Sequence, residues 1–195
     1  MGLRRGTVRL EASQSQWRQT YEHLAFLLRA GLPDVETAVE HVGSTAVPGL
    51  PAKPIIDIAV QIPRDVPADT VISQLEAHGF VFRGTQAGEG GLLFVREAGL
   101  ELRVCHVHVV REGDPQWDRY LRFRDRLRSD GVTRDAYAVL KTRLAAEHPG
   151  DRQGYTTAKS AFIRDVVGDE APRRSPRTRG SSRRTGTSDP RRRGR

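Results

Sequence analysis

Residues 55–60 read Ile-Ile-Asp-Ile-Ala-Val, the most strongly apolar and β-branched run in the chain. Such a run forms a strand buried on both faces. It also carries a carboxylate. Asp57, flanked by Ile56 and Ile58, is too costly to bury alone, so it must pair, accept hydrogen bonds or face a cleft. Thirteen positions before it stands Ser44, which with Gly43 forms a small-residue turn at the end of a short strand, residues 38–42. The backbone amides of such a turn can approach a phosphate closely, although Gly-Ser also occurs in many ordinary turns. The nearby Asp57 is what favours the cleft reading. A loop rich in Gly and Pro, residues 45–54, joins the two features.

The rest of the chain organises around this segment. Residues 13–30 read as an amphipathic helix, with Trp17, Tyr21, Leu24 and Leu28 on one face and a capping box of Ser13 with Gln16 at its start. A second helix begins near Pro67, buries Val71, Ile72 and Leu75, and stops at His78-Gly79. Strands follow over residues 80–83, 92–96 and 101–110, separated by Gly-rich turns. From Pro115 to Val167 the periodicity is helical. Trp117, Tyr120, Leu121 and Leu127 mark one helix, Tyr137, Leu140 and Leu144 a second, and Tyr155, Ala158, Phe162 and Val166 a third. Strands first and helices last indicate an α+β fold with an N-terminal helix and a C-terminal helical cap.

Charge divides the chain in two. Residues 168–195 hold ten Arg against three acids, a net +7 of the chain's +8, so residues 1–167 are nearly neutral. This basic stretch has one aliphatic residue, Ala171, and too little apolar surface to offset its ordering entropy, so it is expected to be a disordered tail. Its arginines suit weak, salt-sensitive, non-specific contact with nucleic acid, but no aromatic side chains interleave them to stack bases. No apolar run approaches the roughly 20 residues of a membrane span. The start of the chain lacks the apolar stretch of a signal peptide, and the single cysteine, Cys105, fits a reducing compartment; the expected location is the cytoplasm.

The cations themselves are uneven. The chain has 29 Arg and three Lys, at Lys53, Lys141 and Lys159. In so arginine-biased a sequence, lysine marks positions where a compact, titratable ammonium is needed, or else positions of chance retention.

The string EHVGSTAVPGL, followed after one residue by AKPIIDI, closely resembles the signature of the GrpB family. So do HVHVV at residues 106–110 and the helical series from FRDRLR through YAVLKTRLAAEHPGDRQGYTTAKSAFI. The resemblance covers roughly residues 10–167. It implies a nucleotidyltransferase-like mixed β-sheet under a helical cap, and a ligand that is a nucleotide or another phosphorylated small molecule. GrpB-like domains also occur fused to dephospho-CoA kinase, which points to coenzyme A metabolism. Nucleotidyltransferases follow their Gly-Ser turn with a strand carrying Asp-hydrophobic-Asp, whose carboxylates hold Mg²⁺. Asp57 matches the first carboxylate, but Ala59 stands at the second, on the same strand face. Two-metal transfer is therefore one reading, and a pseudo-transferase that keeps the pocket as a binding or regulatory module is the other.

Several further residues are candidates. His106 and His108 alternate onto one strand face and with Asp57 would make a two-His-one-carboxylate set for zinc or manganese, or would serve as hydrogen-bonded structural histidines. His41, beside the Gly-Ser turn, would act as a general acid or base or bond a sheet carbonyl. Lys53, in the Pro-bounded loop, can reach an anion as a point charge. The resemblance places Arg124, Lys141, Tyr155 and Lys159 on helices over the cleft, with surface ion pairs as the alternative role.

Overall fold

The computed structural model describes residues 1–4, 6–85, 91–99 and 102–168. The expected disordered tail thus lies almost wholly outside the described residues. Six strands and five α-helices follow in order: β1 Leu3–Arg4, α1 Gln16–Gly31, β2 Ala38–Val42, β3 Ile56–Ile62, α2 Ala68–Ala77, β4 Val81–Thr85, β5 Leu92–Glu97, β6 Leu102–Arg111, α3 Pro115–Ser129, α4 Gly131–Glu147 and α5 Arg152–Val167.

The strands form one mixed sheet in the order β2-β3-β6-β5-β4, with β1 paired to the start of β6. Only β3 and β6 run parallel; the other pairs are antiparallel. Strand alternation divides the sheet into two chemically distinct faces. Ile56, Ile58, Val60 and Ile62 of β3, with Cys105, Val107 and Val109 of β6, face α1 and α2 and build the main core with Trp17, Leu24, Leu28, Val71 and Leu75. The opposite face carries Asp57 beside His106 and Ala59 beside His108, paired across the parallel register.

The helical cap has its own cluster, in which Phe123, Leu127 and Tyr137 pack with Val47, Leu50 and Phe162. Asp114, Asp130 and Asp151 cap α3, α4 and α5 by accepting from backbone amides, so all three helices start on carboxylates suited to the dipole. Helix α1 differs from expectation. It begins at Gln16, and no side chain caps it; the Trp17 and Arg18 amides bond back to Gln14 and Ser15 carbonyls instead. The Gln14 side chain is engaged with Glu11. In the cap, Ala158 is exposed and Leu121 only half-buried, while Arg124 of α3 and Lys159 of α5 are turned inward.

Candidate anion-binding site

Strand β2 ends in Gly43, whose φ of 70° and ψ of −168° suit glycine alone. A one-turn 3₁₀ helix, Ser44–Ala46, follows and turns the chain over the Asp57 face. A β-carbon at Gly43 would lie 2.6 Å from Asp57 Oδ2, so the turn is pressed directly against the carboxylate. The next loop is fixed where Ala52 pairs with Glu11, which aims Lys53 into the same cleft.

The cleft holds an inner cavity of about 220 Å³ whose walls include Asp57, Lys53, Lys141, Lys159, Arg152 and Tyr155. All three lysines of the chain meet here. Lys53 and Lys159 place their ammonium groups 5.1 and 4.3 Å from the centre of the Tyr155 ring. Neither has a hydrogen-bond acceptor or ion-pair partner among the described residues. Lys141, 1% exposed, donates to the Pro51 carbonyl and lies 4.8 Å from the Tyr137 ring centre. Burial, reinforced by the other ammonium groups, pushes Lys141 and Lys159 down to about 7. Lys53 is lowered too, by burial, with Asp57 opposing.

Asp57 accepts from His106, with Oδ1 and Nδ1 2.9 Å apart. The other ring nitrogen, Nε2, lies 2.8 Å from Arg152 Nη2. A guanidinium only donates, so Nε2 is the acceptor and Nδ1 bears the proton. His106 is thereby fixed as a neutral imidazole, and burial lowers its pKa despite the Asp57 contact. Burial pushes the Asp57 carboxyl up, but the His106 hydrogen bond and surrounding positive charge outweigh it and hold the group well below the usual range.

A larger cavity of about 520 Å³ adjoins this one, sharing Ser44, Asp57, His108, Thr156 and Lys159 as walls and continuing past Gly43 to Phe123 and Tyr137. His108 lies within 5.1 Å of the Tyr120 ring, and burial depresses it to about 4.

The chain matches the GrpB protein family over residues 7–169. It belongs to the GrpB family. It is 39% identical over 150 residues to a UPF0157 protein of Streptomyces coelicolor, covering 76% of each chain. It is 32% identical to the UPF0157 protein YqkA of Bacillus subtilis, covering 76% of this chain but 43% of that one, so it spans less than half of that relative. The crystal structure of GrpB from Enterococcus faecalis superposes with a TM-score of 0.73 at 31% identity, covering 83% of this chain and 96% of that one. The nucleotidyltransferase-type fold extends to more distant proteins: the GLD-2/RNP-8 complex matches with a TM-score of 0.50 at 16% identity, over 80% of this chain and 50% of that one. A dephospho-CoA kinase of Mycolicibacterium paratuberculosis is 27% identical over 84% of this chain and 46% of its own length.

Of the residues expected to act together, this GrpB-family chain gathers Gly43, Ser44, Lys53, Asp57, His106, His108, Lys141, Tyr155 and Lys159 around the two adjoining cavities. It puts His41 and Arg124 elsewhere. His41 pairs with Ile58 and so points to the opposite sheet face, where its ring stacks on Tyr21 at 4.6 Å and its Nε2 lies 3.0 Å from Thr45 Oγ1. Burial depresses it to about 4. Arg124 is buried between Glu40, at 2.6 Å, and the His41 carbonyl, at 3.1 Å, and clamps α3 to β2.

The donor set does not fit a divalent cation. Ala59 leaves the second strand position without a ligand, and the acid beside it across β2, Glu40, is already held by Arg124. His106 has both nitrogens engaged. Among the described residues no group of three acidic, His or Cys side chains could hold a metal. Three ammonium groups and a guanidinium instead make the cavity favourable to anions.

Arg152 was not anticipated from the sequence. It lies three and seven positions before Tyr155 and Lys159 on α5, so helical spacing alone puts all three on one face.

Proposed function

We infer that this GrpB-family chain binds the phosphate of a nucleotide or another phosphorylated small molecule between the sheet and the helical cap. The observation carrying this reading is the convergence of all three lysines, with Arg152, on one cavity containing a single carboxylate. Half-buried ammonium groups at Lys53 and Lys159 without acceptors among the described residues carry a desolvation cost, and an anion would offset it. The kinase relative puts adenine nucleotides and coenzyme A precursors first among ligands to try.

Calorimetry with inorganic pyrophosphate, in the presence of EDTA, tests the reading. Expected is one-to-one binding that weakens at least tenfold in Lys53→Met. No heat and no thermal shift at millimolar pyrophosphate would sink it.

Ala59 and the neutral His106 favour a binding or regulatory module over two-metal nucleotidyl transfer. Ala59→Asp tests this division: nucleotidyl transfer gained with Mg²⁺ would mean that only one carboxylate separates this site from an enzyme. Transfer by the unaltered chain with Mg²⁺, Mn²⁺ or Zn²⁺ would overturn the module reading.

No helix among the described residues is long and apolar enough to cross a membrane. We place the protein in the cytoplasm, in keeping with a lone cysteine that is buried and whose thiol burial pushes up to about 12. The arginine-rich segment from residue 168 is assigned salt-sensitive contact with nucleic acid, which its deletion should abolish without altering pyrophosphate binding.

A further inference from the structure

Phosphate recognition alone does not account for the choice of lysine. Arginine binds phosphate with a rigid fork of donors, and this chain uses it for 29 of its 32 strongly basic residues. The three exceptions all line one cavity. An amine differs from a guanidinium in two respects: it is compact, and it can lose its proton to expose a nucleophilic lone pair.

Compactness accounts for Lys141. Its ammonium is buried, bonded to the Pro51 carbonyl and set against the Tyr137 ring, a setting that suits a compact head group. Lys159 has a different setting. It projects from the middle of α5 into the seam where the inner and outer cavities join, and it lines both. It rests on the Tyr155 face and has no hydrogen-bond acceptor among the described residues. Its electrostatic surroundings include Lys53 and Arg152, which disfavour its charge, and Asp57, which favours it. Lys159 is half-buried, and an amine partly withdrawn from water next to other cations is activated toward carbonyl groups.

We propose that Lys159 is a reactive amine that forms an imine with phosphorylated aldehydes or ketones, the phosphate lying among Lys53, Arg152 and Lys141 and the carbonyl at the seam. The Nζ lone pair forms a bond to the carbonyl carbon as the C=O π electrons move to oxygen. A proton passes from nitrogen to that oxygen, giving a carbinolamine. The carbinolamine then loses hydroxyl and the second nitrogen proton as water, leaving the C=N bond. One amine and one carbonyl compound give one imine and one water, with no oxidant, reductant or metal. Depression of Lys159 to about 7 leaves a large unprotonated fraction near neutrality, whereas an ordinary lysine is almost fully protonated there.

This proposal rests on the anion-site reading, and reductive labelling separates the two. The full chain is incubated at neutral pH with pyridoxal 5′-phosphate, a phosphorylated aldehyde used as the probe, and reduced with cyanoborohydride. Adducts are then located by mass spectrometry of peptides. With only three lysines and one terminal amine, the assignment is unambiguous. Expected is labelling of Lys159 at least tenfold faster than of Lys53, Lys141 or the N-terminus, with the imine absorbance lost in Lys159→Arg. Pyridoxal without the phosphate should react at least tenfold more slowly, and pyrophosphate should protect.

Even labelling of all amines, preferential labelling of Lys53, or equal rates with pyridoxal would each overturn the proposal. If pyrophosphate binds by calorimetry while Lys159 stays unlabelled, the imine proposal fails and the anion site stands. If pyrophosphate neither binds nor protects, the anion site itself fails. The wild-type adduct map decides the matter even if Lys159→Arg does not fold.

Discussion

The Gly43→Ala substitution tests how tightly the Gly-Ser turn is joined to the Asp57 strand. Two independent costs meet there. The backbone, at φ 70° and ψ −168°, lies in a region that only glycine enters easily, which costs a side chain about 2 kcal/mol. The added methyl would also stand 2.6, 2.9 and 3.1 Å from Oδ2, Cβ and Cγ of Asp57. The Cβ is fixed by the β3 backbone, and Oδ1 is held by His106, so the strand cannot yield cheaply. Overpacking of this kind adds about 2 kcal/mol. The sum is about 4 kcal/mol, or a fall in Tm of about 8–16 °C for a domain of this size. Gly49 supplies the control: its φ is 78°, but a methyl there would meet nothing within 4 Å. Gly49→Ala should therefore cost only the positive-φ penalty, about 1–2 kcal/mol. Urea unfolding of the two variants beside the wild type measures the difference. If Gly43→Ala is no more destabilising than Gly49→Ala, the close contact with Asp57 is wrong, and with it the placement of the turn over the site.

Three other outcomes follow from the charges. Asp57→Asn should tighten pyrophosphate binding about tenfold, because it removes the one negative charge from a cationic cavity; weaker binding in calorimetry would mean instead that Asp57 acts through a bound cation. Lys141, at about 7 when folded and near 10.5 when unfolded, binds more protons in the unfolded state between those values, so stability rises with pH above 7. The contribution continues toward pH 10.5, but above about pH 9 it is opposed by Cys105, whose thiol ionises more readily unfolded than buried. Urea unfolding at pH 7 and 9 should show a gain on the order of 2 kcal/mol from Lys141, and Lys141→Met should reduce it; an unchanged gain refutes the buried titrating amine. Arg124→Met removes the bond to Glu40 and strands the His41 carbonyl, at about 2–3 kcal/mol. It should leave the Kd for pyrophosphate within twofold, and a larger change would connect Arg124 to the ligand after all.

The sequence by itself determined most of the elements, though not β1, and singled out many residues that line the candidate site. The β-branched run at residues 55–60 could only be a buried strand, and Asp57 within it had to meet a partner or a cleft. The excess of arginine over lysine singled out Lys53, Lys141 and Lys159 before any contact was known, and all three line one cavity. Tertiary structure decided which candidates meet. His41 lies two positions from Gly43, yet strand alternation turns it to the opposite face of the sheet. Arg124 matches a charged residue over the cleft, yet Glu40, brought near by the packing of α3 on β2, takes its guanidinium. The tautomer of His106 depends on Arg152, 46 positions away. A sequence fixes periodicity along one element. Which side chains become partners depends on the register and packing between elements, and those are set by the whole fold.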